Sequence, residues 1–305
     1  MNKIFFLLLV FTSQVVLSQD IKVLSNEEIP FSSSKGYFNP ILSPTGKYMV
    51  VTSSNLQGLL KYDFSTKKIT EITSEDGAGF DAQISSDGNT IVYRTREQKD
   101  RLRYASLKSF DLKTGKKTDL IKQTRNLEGV VVKEGTVFAV DSGELRTHQV
   151  SGKKLSKNPP VSSIEKGRLY MTRDNSTRMV SPSGNDVNYL WNSVSPDGTK
   201  LLYYVVEQGE AFVSNVDGSN PVSLGTLRAP KWMGDNWVVG MVDFDNGDVT
   251  TSSKIVAVTA DGAVRKELTD SSIIALYPMA SSDAKTILYN TDEGKVYLMH
   301  IEVTK

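Results

Sequence analysis

A unit of about 40 residues recurs along this chain, and it constrains the fold more than any other feature. Its clearest copy, residues 189–226, reads as four short strands at 190–195, 201–206, 211–216 and 222–224. Pro196-Asp197-Gly198-Thr199, Gln208-Gly209 and Asp217-Gly218-Ser219-Asn220 supply the turns between them. A four-stranded antiparallel sheet of this size cannot bury both faces alone, so copies must stack against one another.

Other copies follow the same plan. The first covers residues 37–74, with its turn at Pro44-Thr45-Gly46 and an apolar strand at 48–52. The second starts at Phe80, turns at Ser86-Asp87-Gly88, and contains a charged connector at 97–103. Two weaker units between Leu127 and Asn188 show only three strands each, and a sixth begins at Pro230. The last lacks a fourth strand, and residues 21–24 at the other end of the chain are the obvious donor. Gly46, Gly88, Gly135, Gly167, Gly198, Gly234 and Ala284 mark the first turns at a mean spacing of about 40 residues. The expected fold is all-β: a β-propeller of four-stranded antiparallel blades, closed as a ring by an N-terminal strand. Seven blades follow from the markers, or six if the two weak units merge. No long amphipathic helical pattern competes.

At the N-terminus, Lys3, the apolar run 4–11 and Val16-Leu17-Ser18 have the form of a secretory signal peptide. Residues 1–18 are therefore expected to be removed, leaving a single propeller domain over 19–305 in the periplasm or outside the cell. The apolar run is too short to span a bilayer, which takes roughly 20 residues. There is no cysteine, so neither disulfides nor thiolate chemistry is available. The whole chain carries 36 basic and 35 acidic residues, a balance that does not suggest nucleic acid as a partner.

The turns Ser43–Lys47 (SPTGK), Ser85–Asn89 (SSDGN), Ser195–Thr199 (SPDGT) and Ser281–Lys285 (SSDAK) resemble the Ser-Pro-Asp-Gly repeat of TolB-like, WD-like β-propellers. A proline often lies a few residues ahead of the turn in that repeat, as Pro40, Pro230 and Pro278 do here. The family commonly has Trp just before the Ser; Trp232 is a counterpart, whereas Leu42, Ile84 and Val194 replace it elsewhere. The resemblance implies a propeller, and with it either a binding role among envelope proteins or a polysaccharide-degrading activity.

Candidate chemistry is sparse. No Gly-x-Ser-x-Gly elbow occurs, and His148 and His300, without cysteine, do not make a zinc site. Asp243, Asp245 and Asp248 concentrate carboxylates in one stretch, and calcium takes six to eight oxygens. Gly247 and Asp248 nevertheless stand where an EF-hand loop needs a ligand and a glycine, so a polar hairpin is the competing account. No cofactor is expected, with calcium at these carboxylates as the alternative. Arg94, Arg96, Lys99, Arg101 and Arg103 form a basic cluster, interrupted by Glu97 and Asp100, as in an ordinary solvated connector.

The first residues of the inner strands would ring one mouth of the channel: Phe38, Asn39, Asp81, Trp191, Trp232 and Tyr277. Aromatic and amide groups there suit a sugar or an extended peptide, although aromatics also fill the wedges between blades. The expected function is a monomeric binding module for an envelope protein, peptide or glycan, without nucleic acid and without a membrane span. The alternative is a lyase or lactonase built on carboxylates and calcium, which calcium-dependent thermal stabilisation would reveal.

Overall fold

The computed structural model describes residues 20–31, 35–152, 155 and 157–304; the expected leader, residues 1–18, lies outside them. Every regular element among the described residues is a strand, and the strands form seven antiparallel sheets. The innermost strands are Phe38–Leu42, Gln83–Ile84, Leu127–Lys133, Val161–Glu165, Tyr189–Val194, Arg228–Met233 and Ala275–Ala280, for blades one to seven. Inner strands of neighbouring blades touch from blade two round to blade one, including the contact between the seventh and the first, and an apolar seam joins blades one and two. Six blades are thereby excluded. Among the described residues five blades have four strands, and blades three and four have the three that the sequence shows for those units. No helix among the described residues is long and apolar enough to cross a membrane.

The hydrophobic core is divided among the seams between blades. Seven apolar clusters occur, and each joins one pair of neighbours. Val50, Leu59, Ile91 and Tyr93 fill the seam between blades one and two. Met49, Val51, Leu288 and Val296 fill the one between blades one and seven. A blade's second strand is apolar on both faces because each face meets a different neighbour, which explains runs such as Tyr48–Thr52 and Lys200–Val205. The seam between blades three and four is the thinnest, with Phe138, Val140 and Val161 as its fully buried members.

The ring closes as expected, over a longer span. Asp20–Glu28 pairs antiparallel with Val296–Thr304 as the fourth strand of blade seven, with Ile21 opposite Val303 and Lys22 opposite Glu302. Ile21 and Ile301 enter the core between blades six and seven. Asn26 and the buried Tyr289 hydroxyl exchange hydrogen bonds at 2.7 and 2.9 Å.

The Ser-x-Asp turns join first to second strands. Ser195 donates to Asp197 Oδ1 at 2.6 Å and accepts the Lys200 N–H at 2.9 Å; Ser85 and Asp87, and Ser281 and Asp283, repeat the arrangement. Gly198 completes the turn at φ 79°, a conformation natural to glycine, while Ala284 takes it at 55° in blade seven. All of these turns lie on one face of the ring. The opposite face holds the starts of the inner strands and the hairpins between second and third strands.

On that opposite face the connector expected at 97–103 is in fact a hairpin. Thr90–Lys99 and Leu102–Asp111 pair along their whole length, with Asp100 and Arg101 both left-handed at its tip. Blade six extends likewise, through Trp237–Asp245 and Thr250–Thr259. These two arms stand on opposite sides of the ring, with blades seven and one between them on the shorter path.

Candidate functional site

Near their starts the inner strands of five blades are kinked, whereas that of blade four pairs without a break. In blade one Phe38 pairs with Thr52 and Ile41 with Val50, so two residues oppose one. The same bulge recurs in blades three, five, six and seven. Its first residue is left-handed at Asn39 (φ 48°), Trp191 (48°), Ala229 (46°) and Tyr277 (52°), and Asp81 (52°) matches them in blade two. Pro40, Pro230 and Pro278 come next, where the bulge leaves a backbone N–H out of the ladder and a residue without one is tolerated.

Four of the six residues expected at the mouth, Asn39, Asp81, Trp191 and Tyr277, thus occupy one structural position in four blades. Phe38 directly precedes it. Trp232 lies three residues beyond its blade-six equivalent, Ala229. Its indole N–H reaches the Ser193 carbonyl at 3.3 Å, and its ring packs in the seam between blades five and six.

Side chains at the ends of second strands clamp this position from the preceding blade. Asn290 Oδ1 accepts the Asn39 N–H at 3.0 Å, and Met241 Sδ accepts that of Tyr277 at 3.4 Å. Arg94 donates to the Leu127 and Glu128 carbonyls at 2.9 and 2.8 Å, with its guanidinium 5.6 Å from the Phe80 ring centre. Trp191 packs edge-on against Tyr204, and the Arg228 guanidinium lies 5.9 Å from its ring centre. Gly79 fits because any side chain there would collide with Thr52, the corresponding residue of blade one. Arg94 therefore belongs to the scaffold rather than to an exposed basic patch, a role that its charged sequence surroundings conceal.

The mouth face also carries exposed apolar side chains, all but Tyr277 of them missed by sequence reasoning. Phe80 (52% exposed), Leu190 (43%) and Tyr277 (43%) stand beside the strand starts. Leu102, Phe244 and Val249 lie at the arm tips, and Val206 at the blade-five hairpin. Seven of the nine exposed large apolar residues among those described fall on this face, leaving only Leu24 and Met179 elsewhere. The signal in sequence was weak: apolar residues beside turns, where polar ones are the rule.

Charge is distributed unevenly over the face. The blade-two arm carries Arg96, Lys99, Arg101 and Arg103, and the blade-six arm carries Asp243, Asp245 and Asp248. Near blade three, burial and then the neighbouring Glu165 carboxylate raise the Glu128 carboxyl above its ordinary value.

Beneath the acidic arm a cavity of about 310 Å³ opens between blades six and seven, lined by Arg228, Asp243, Asp245, Asp248, Leu276 and Tyr277 among others. Two sets of sequence candidates, the acidic stretch and Tyr277, meet there. Arg228 Nη1 holds Asp243 Oδ2 at 2.6 Å, and the Asp243 side chain is only 5% exposed. Its other oxygen, Oδ1, is buried without a hydrogen-bond partner. Asp245 Oδ1 accepts the Gly247 N–H at 2.9 Å. Among the described residues no group of three or more Asp, Glu or His side chains is placed to hold a metal ion, and a guanidinium already sits against Asp243.

No protein-family model and no curated protein matches the chain. Among solved structures it is similar to an oligogalacturonate lyase in complex with manganese, at 15% identity and a TM-score of 0.51, over 88% of this chain and 78% of that one. It is also similar to TolB from Acinetobacter baumannii, at 15% identity and a TM-score of 0.50, over 76% of this chain. The matched region spans 53% of that TolB chain, about half its length. These likenesses are of fold, and in fold the chain is a TolB-like seven-bladed β-propeller.

Proposed function

We propose that this protein is an exported recognition module that binds a protein, peptide or glycan of the cell envelope across the mouth face of its ring, without catalysing a reaction. The observation that carries this is the one-sided distribution of exposed apolar side chains: Phe80, Leu102, Leu190, Val206, Phe244, Val249 and Tyr277 share a face. Contiguous or clustered exposed apolar groups rimmed by charge mark interaction surfaces, and aromatics are enriched at their centres. The left-handed residues at the strand starts support the same reading, because sparsely populated backbone conformations gather where geometry serves binding. Periplasmic or extracellular location belongs to this proposal and follows from the leader-like first 18 residues.

The test compares three proteins for binding to envelope extract and to a glycan panel, with bound species identified by mass spectrometry. They are the wild type, a mouth variant (Phe80→Ser, Leu190→Ser, Tyr277→Ser) and a control on the turn face (Lys47→Ser, Lys285→Ser). Binding should disappear in the mouth variant and persist in the control. Loss in the control with retention in the mouth variant would place recognition on the other face and overturn the proposal.

A further inference from the structure

The cavity between blades six and seven contains an unmet demand. A carboxylate has two oxygens that each accept hydrogen bonds, and a buried acceptor left unpaired is costly, the more so when charged. Asp243 uses Oδ2 on Arg228, but Oδ1 has no donor although the side chain is almost wholly enclosed. The surrounding charge does not balance either. One guanidinium, Arg228, faces three carboxylates, those of Asp243, Asp245 and Asp248. The lining also includes Tyr277, an exposed aromatic ring of the kind that attracts cations over its face.

We infer that this cavity takes a cationic side chain, lysine or arginine, from a partner polypeptide, with its N–H donating to Asp243 Oδ1. Asp245 and Asp248 then form an acidic rim that draws the cation in, and Leu276 and Tyr277 cover its aliphatic stem. Val249 lines the cavity and Phe244 is exposed on the same arm, and both add apolar contact for the rest of the segment. The inference rests on the mouth-face reading of function and narrows it, since it makes the partner a basic peptide rather than a neutral or acidic glycan.

The test uses the intact exported chain and four heptapeptides of sequence Gly-Gly-Ser-X-Ser-Gly-Gly, with X as lysine, arginine, acetyl-lysine or norleucine. Calcium chloride and a glucosamine oligomer serve as competing probes. Trp191 lies under Arg228, so tryptophan fluorescence reports occupancy alongside calorimetry. The lysine or arginine peptide should bind at least about tenfold more tightly than the acetyl-lysine and norleucine peptides, a difference of about 1.4 kcal/mol. That preference should be lost in Asp243→Asn and weakened in the rim variant Asp245→Asn/Asp248→Asn, whose exposed positions leave folding intact if Asp243→Asn does not. Equal binding of all four peptides, no saturable binding of any, or tighter binding of calcium or the amino-sugar oligomer would overturn the inference. The rim variant also separates the two proposals. If it captures the envelope partner that the mouth variant loses as fully as the wild type does, this cavity is not the recognition site but the mouth face is.

Discussion

The backbone N–H of Asn39, in the first blade, donates to the side-chain Oδ1 of Asn290, in the last, at 3.0 Å across 251 sequence positions. Asn290 is fully buried, and its Nδ2 donates to the Thr291 carbonyl at 3.0 Å. One amide side chain thus ties the two ends of the ring together while fixing the left-handed residue that opens blade one.

Asn290→Ala should therefore destabilise the protein by about 1–3 kcal/mol, because it leaves the half-buried Asn39 amide without its acceptor. Urea unfolding measures this. A change smaller than about 0.5 kcal/mol, the usual surface range, would show that the clamp adds little.

The equivalent clamp in blade two is Arg94, which bridges two carbonyls of blade three. Arg94→Lys keeps the charge but loses the fork that reaches both oxygens at once. It should cost roughly 1–3 kcal/mol in urea unfolding. Wild-type stability in this variant would contradict the assignment of Arg94 to the scaffold.

The turn aspartates make the fold acid-sensitive. Burial opposes ionisation of Asp87, but hydrogen bonds from Ser85 and Asn89 outweigh it and bring its carboxyl from 3.8 to about 2. Ser281 does the same for Asp283 most directly, and at Asp197 the bonds from Ser195 and Thr199 again prevail over burial. A carboxyl depressed in the folded state stabilises above its unfolded value and loses that contribution as pH falls through its folded value. The melting temperature should hold near neutral pH and drop as pH falls from about 4 to about 2. Asp87→Asn/Asp197→Asn/Asp283→Asn should be less stable at neutral pH and show a shallower acid fall; an unchanged slope would contradict the account.

Opening should begin where the core is thinnest. The seam between blades three and four has three fully enclosed apolar residues, against fourteen buried residues between blades six and seven. Amides of Thr136–Asp141 and Arg168–Arg173 should exchange with deuterium faster than those of Trp237–Asp245 and Thr286–Thr291. Uniform protection across these four strands would show that seam size does not set local stability.

The architecture was legible in the sequence because each module repeats its own punctuation. Ser195, Asp197 and Gly198 close their turn through hydrogen bonds within the turn itself, so their spacing registers the blade even though Asp197 N–H also reaches Asp235 of the next blade. The mouth was only partly legible. Asn39, Asp81, Trp191 and Tyr277 could be aligned by position, whereas Trp232 shares their residue type but sits past the bulge, and bulges shift register by one residue without altering composition. The charged residues around Arg94 looked like a solvated connector because strand pairing out to Lys99 and Leu102 depends on a two-residue turn, Asp100-Arg101, that lacks glycine. The cavity at Asp243 joins residues from two blades, and no local pattern records that meeting.

All of this depends on a ring held shut by its own first strand, and the chain's lack of cysteine permits a direct measurement. Lys22 and Glu302 face one another across the closing pair, both exposed. In Lys22→Cys/Glu302→Cys, mild oxidation should give an intramolecular crosslink in nearly every molecule, seen as faster migration on a non-reducing gel. Melting temperature should rise on oxidation and return on reduction, with a loop-closure gain of up to roughly 5 kcal/mol. A pair of thiols that stays free, or that links only between molecules, would mean that the first strand does not close the ring.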